Sequence, residues 1–280
     1  MNLLAIALGL ACTAVVGDSA TDLRSIDNAD WIARDVAVSR RVVAALPPGD
    51  RTATEWLATL APDRHETHDL GYGGHRHDLA CYGGYTTTWI TLVTFDDRIV
   101  SLLIGQPMEP DEAGPIGSVL TPVWKPYATL MGGAFHYEYH SSVMLTHMRA
   151  RLAHELGSLA DLPVPTPYGE AYERLTTAGA DLAFGTRCGD DGTPPPGRRE
   201  ADQLEAGAQT ALLGNVLRGP NPVGRVYAAK ALLRLRGSGA ALPPEDEAVI
   251  AKIRASGLQI TVCDGCTFGK QSTAEALAGE

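Results

Sequence analysis

Five side chains in this sequence are spaced so that alternation would bring them into chemical use. His75 and His77 stand two residues apart in "GHRHD", and His136, Glu138 and His140 follow the same step in "GAFHYEYH". In an extended strand, residues two apart project from one face. Imidazoles and a carboxylate gathered on such a face make a donor set for a divalent transition metal. A water bound to that metal would serve a hydrolase, which is the catalytic reading of the chain. Residue type supports a second reading equally well. An antiparallel sheet buries one face and wets the other, and His and Glu are ordinary residues of a wet face.

Other motifs lack a required partner. "HETH" at 65–68 sets its histidines three apart, whereas a zinc-protease helix needs them four apart on one face. "HELGS" at 154–158 has no second histidine, and "GCTFGK" at 265–270 is one residue short of a phosphate-binding loop. "VVGDSATD" at 15–22 resembles the nucleophile block of GDSL-type esterases, with Ser19 as nucleophile, but none of the eight histidines follows an Asp by three residues. A cleavage region behind a leader accounts for that stretch better.

The leader reading rests on residues 1–17, "MNLLAIALGLACTAVVG", which carry no charged side chain. A membrane span needs about 20 apolar residues, so the segment suits the core of a signal peptide. "GLAC" at 9–12 resembles a bacterial lipoprotein box, which would put a lipid on Cys12. Export leaves four cysteines, Cys81, Cys188, Cys263 and Cys266, and an even number in an oxidising compartment favours disulfides. Three pairings are open; the simplest joins Cys263 to Cys266 and Cys81 to Cys188. "CDGC" fits a staple better than a redox pair or a zinc half-site. No further C-x-x-C follows, and "TFGKQ" delays any helix that would lower a thiol pKa.

These residues need a scaffold. "TDLRSIDNADWIARDVAVSRRVVAALPP" and "TATEWLATL" read as helices ended by proline. Residues 64–105 are rich in Thr, Tyr, Val and Ile, and "TTTWITLVTFDDRIVSLLIG" reads as a hairpin turning at Asp96–Asp97. Residues 106–133 read as loop and 133–140 as a strand. From Ser141 the pattern is helical, interrupted by the Pro- and Gly-rich stretch 185–199, with helical segments near 200–217, 222–236 and 244–256. "NPVGRVYAAKALLRL" at 221–235 resembles the second helix of a HEAT repeat, with Pro222, Arg225, Ala228, Ala229, Ala231, Leu232 and Leu235 on the expected positions. The resemblance implies one helical packing hairpin over about 206–236; Gly224 departs from the pattern, which has a β-branched residue there.

The expected architecture is α+β: N-terminal helices and a small antiparallel sheet, followed by a mainly helical C-terminal region. The expected division is a leader at 1–17, an α+β domain at 18–184, a linker at 185–199 and a helical region with the C-x-x-C tail at 200–280. A net charge of −10 argues against a nucleic-acid partner, which needs clustered Lys and Arg. The mature chain is expected to have no transmembrane helix. Since each enzyme motif lacks a partner, the favoured function is a binding or structural module of the bacterial envelope. No cofactor is required beyond the metal that the His/Glu set would hold. The metal-dependent hydrolase is the alternative.

Overall fold

The computed structural model describes residues 28–107 and 115–278. The leader, Cys12 and Ser19 lie outside the described residues. The α+β architecture expected from the sequence is present. Helices α1 (Asn28–Ala44) and α2 (Ala53–Leu60) lead into strands β1 (Arg64–Gly71), β2 (Gly74–Tyr82), β3 (Thr87–Phe95) and β4 (Arg98–Pro107). Helix α3 (Pro115–Trp124) precedes the short β5 (Thr129–Met131) and β6 (Ala134–His140). The six strands form one antiparallel sheet in the order β1-β2-β3-β4-β6-β5.

Alternation decides what each face does. Leu79, Ile90, Leu92, Leu102, Ile104 and Phe135 point to one side and pack with Val42 of α1, Trp56 and Leu60 of α2, and Ile116, Leu120 and Trp124 of α3. The hairpin turns at Asp96–Asp97 as expected, both residues with positive φ, the conformation that a tight two-residue turn demands. Helix α1 is tied to the β2–β3 turn by Asp35, whose buried carboxylate accepts hydrogen bonds from the backbone of Gly84, Tyr85 and Thr86. The stretch expected as loop at 106–133 instead contains α3. Pro115 opens that helix, where a missing N–H costs nothing, and Ile116, Leu120 and Trp124, four apart, are buried.

The second layer is helical: α4 (Ser142–Leu156), α5 (Gly169–Thr176), α6 (Arg198–Ala206), α7 (Thr210–Leu217), α8 (Pro222–Gly237) and α9 (Pro244–Ala255). The single segment expected at 200–217 is thus two helices, broken at Ala208, which has positive φ. These helices pack on the opposite side of the sheet through Leu70, Val93, Phe95 and Val100. Gly224 is required by close approach, because a Cβ there would overlap the Leu175 carbonyl oxygen. A two-stranded ladder, β7 (Gln259–Asp264) with β8 (Thr267–Ser272), and the short α10 (Thr273–Ala276) close the described chain. No helix among the described residues is long and apolar enough to cross a membrane.

One disulfide is present, and it differs from the simplest pairing: Cys188 is bonded to Cys263. It ties the 185–199 loop to β7, alongside the hydrogen bond from the Gly189 N–H to the Gly265 carbonyl oxygen. Adjacency in sequence is no guide here, because Cys263 lies on β7, opposite Phe268 of β8, while Cys266 lies in the turn between the two strands. Cys263 is buried, while the exposed Cys266 thiol donates to the Asp190 carboxylate. Cys81 is a buried thiol in the core of the sheet, and burial pushes its pKa up.

Candidate functional site

The five residues of the expected metal set do not converge. Register places Ser101, Leu103 and Gly105 of β4 opposite His140, Glu138 and His136 of β6. It places His77 opposite Leu92, and Leu92 opposite Leu102, which in turn faces Tyr139. Residues opposite one another across a ladder share a face. His77 and, two residues away, His75 therefore lie on the face of Tyr137 and Tyr139, while His136, Glu138 and His140 lie on the other. Strands β3 and β4 also intervene, a separation of about 14 Å at ~4.8 Å per strand. Alternation holds within each strand, but it carries no information on the relation between strands. Among the described residues no group of three or more His, Cys, Asp and Glu side chains is placed to hold a metal ion. Glu138 and His140 instead contact each other on the surface, His140 Nε2 lying 2.7 Å from Glu138 Oε1.

His140 does reach a different site. At its end of the sheet, β4, β6, α4, α5 and the turn after α7 enclose a cleft of about 370 Å³. Its body is apolar, with Leu145, Met148 and Leu152 on the α4 side and Val100 on the sheet. Its lining includes His140, Arg149, Glu173 and Arg218, from four separate elements, besides the hydroxyls of Ser101, Tyr172, Thr176 and Thr177. Arg218 is neutralised in place, with Nη1 donating to the Gly214 carbonyl oxygen at 2.8 Å and to the buried Asp246 carboxylate. Arg149 and Glu173 form no ion pair with any described residue. The sheet wall of the cleft runs on, past Leu103, into an open strip that includes Trp89. These two residues keep 43 % and 42 % of their surface exposed. None of Arg149, Glu173, Arg218 or Trp89 was singled out from the sequence. They lie far apart in the chain and share no motif.

A second polar cluster occupies the outer end of the other face. His65 Nε2 and His77 Nδ1 are 2.9 Å apart, and Thr67 Oγ1 lies 3.1 Å from the first and 3.2 Å from the second. The remaining ring nitrogen of His77, Nε2, is 3.2 Å from Thr94 Oγ1. His75 stands beside them with its Nδ1 buried and without a hydrogen-bond partner in the described structure. Burial, helped by the neighbouring His65 and His75, lowers the His77 pKa to about 4. His65 was legible: "HETH" and "HRH" flank the Tyr72–Gly73 turn, and folding the hairpin there pairs Thr67 with His77.

A third cluster links the layers. Arg76 Nη2 bonds Asp78 at 2.7 Å and Asp181 at 2.9 Å, and His68 Nε2 lies 3.0 Å from Asp78. Burial opposes ionisation of Asp78, but His68 and Arg76 outweigh it and hold its pKa below the ordinary carboxylate range. With every charge partnered and the cleft elsewhere, this is a structural clamp between β2 and the 177–182 segment. No family model matches the chain, and no curated protein or solved structure matches it either.

Proposed function

We propose that the protein is an exported binding module of the cell envelope, and that it takes its ligand in the cleft at the His140 end of the sheet. The ligand class is a small amphipathic molecule. Its apolar body would rest on Leu145, Met148 and Leu152, with polar groups facing Arg149 and Glu173. The observation that carries the reading is the cleft itself: about 370 Å³, apolar in its body, with a few polar groups converging from separate elements. Small-molecule sites have this size and composition. Export is supported by the Cys188–Cys263 bridge, since disulfides persist in oxidising compartments, and by the uncharged apolar segment at residues 1–17. In this reading α7 and α8 act as a HEAT-like packing hairpin that holds one wall of the cleft rather than as a recognition surface.

Extraction of protein purified from the cell envelope, followed by mass spectrometry of what co-purifies, tests the proposal. Wild-type protein should carry a small molecule that Ala153→Trp, which fills the cleft from α4, does not. Equal recovery from a folded Ala153→Trp protein would sink it, as would accumulation of wild-type protein in the cytoplasm with Met1 retained.

A further inference from the structure

We propose that His65 and His77, with Thr67 beside them, form a binding site for a divalent late transition metal on the outer face of the β1–β2 hairpin. This site is separate from the cleft and lies on the opposite face of the sheet. The argument starts from spacing. Two nitrogens bound at ~2.0–2.1 Å to one cation stand about 2.9 Å apart at a right angle and about 3.4 Å apart at the tetrahedral angle. His65 Nε2 and His77 Nδ1 stand 2.9 Å apart. Thr67 Oγ1, at 3.1 Å and 3.2 Å from the two nitrogens, supplies a third polar atom at the same corner.

The surroundings of His77 agree with that role. A metal-bound imidazole characteristically donates its other ring N–H to a fixed acceptor, which sets tautomer and ring plane. Thr94 Oγ1, 3.2 Å from His77 Nε2 and on a buried residue, is placed to accept such a bond. In the tautomer that donates from Nε2 to Thr94, the lone pair is at Nδ1, 2.9 Å from His65 Nε2. Both ligands are on paired strands, His77 directly opposite Thr67 and His65 two residues along the same face, so the backbone presets their separation. His65 and Thr67 are exposed, so solvent can fill the remaining coordination positions. Imidazole donors without a carboxylate favour copper, nickel and zinc over magnesium and calcium, which prefer oxygen ligands.

Titration of tag-free protein with nickel(II), followed by calorimetry and by the histidine ring signals in NMR, tests the site. A single equivalent should bind, with the His65 and His77 ring signals the first to shift or broaden. His65→Ala alters an exposed side chain and leaves the core intact, and it should weaken binding about tenfold or more. His77→Gln should do the same, while the double variant His136→Ala/His140→Ala should bind as wild type does. Unchanged affinity in His65→Ala, loss of binding in the His136/His140 variant, or no binding at submillimolar nickel(II) would each overturn the proposal. None of these results depends on whether the cleft holds a ligand.

Discussion

The Arg225 guanidinium on α8 donates from Nη1 to the Leu70 carbonyl oxygen of β1 across 3.0 Å, joining residues 155 positions apart. The same group donates to the Gly219 and Pro220 carbonyl oxygens and lies over the Tyr72 ring, so one cation holds the sheet, the α7–α8 turn and the helical layer together. Burial lowers its pKa to about 10, which leaves it charged at neutral pH. Arg225→Ala should lower unfolding stability by about 3 kcal/mol or more, since three carbonyls, those of Leu70 and Gly219 in buried bonds, lose their donor and a cavity replaces the side chain. Urea denaturation checks this; a loss under about 1 kcal/mol would show that water replaces the guanidinium.

The disulfide closes a loop between residues separated by 75 positions. The chain-entropy model gives about 4.5 kcal/mol for a loop of that length. Cys188→Ser and Cys263→Ser should each cost about that much, and a reducing agent should destabilise wild-type protein similarly. Cys266→Ser should fall within about 0.5 kcal/mol of wild type, as exposed substitutions do. Non-reducing peptide mapping reads the pairing directly, and a Cys263–Cys266 peptide would refute it.

His77 predicts how stability follows pH. Its folded pKa, about 4, lies below its ordinary value of 6.5, so below that value the unfolded chain binds the proton more readily. Its contribution is complete above about pH 6.5 and is lost progressively as pH falls toward 4. Metal-free wild-type protein should therefore show a falling Tm over that window, and His77→Asn should flatten the fall. A His77→Asn profile parallel to wild type would exclude this residue as the source.

The expected wet face gives a fourth test. Glu138 and His140 are more than half exposed and pair with each other at 2.7 Å. Replacing either by Gln should change stability by no more than about 0.5 kcal/mol. A loss of several kcal/mol in thermal or urea unfolding would mean that this pair supports the fold.

Much of the architecture was legible because its residues obey a period. Strands β2, β3, β4 and β6 alternate, and the Asp96–Asp97 turn announces their hairpin. Helix α3 was hidden by its prolines, although Ile116, Leu120 and Trp124 carry a four-residue repeat that outweighs them. Strand β8 has no apolar face to read, since most of its residues are exposed. The site was less legible for a topological reason. Alternation states which neighbours share a face within a strand, but a reader needs the register of β2 through β6 to learn that His77 and His140 face opposite ways. The cleft depends on residues such as Val100, Arg149, Glu173 and Arg218, which only the docking of helices on the sheet brings together.

The Cys188–Cys263 bond also changes what a protease can accomplish. The exposed residues Gly189–Asp191 follow Cys188 directly, and such loop tips are favoured cutting sites. A cut anywhere between the two cysteines opens the backbone without dividing the molecule, because the bridge still spans the break. Helices α6 to α9 lie wholly within this closed ring, so a nicked chain would remain one covalent molecule, heavier only by the water consumed, and, with the core packing undisturbed, would keep its shape. Only a reductant would release the fragments, which makes the damage invisible on a non-reducing gel and plain on a reducing one.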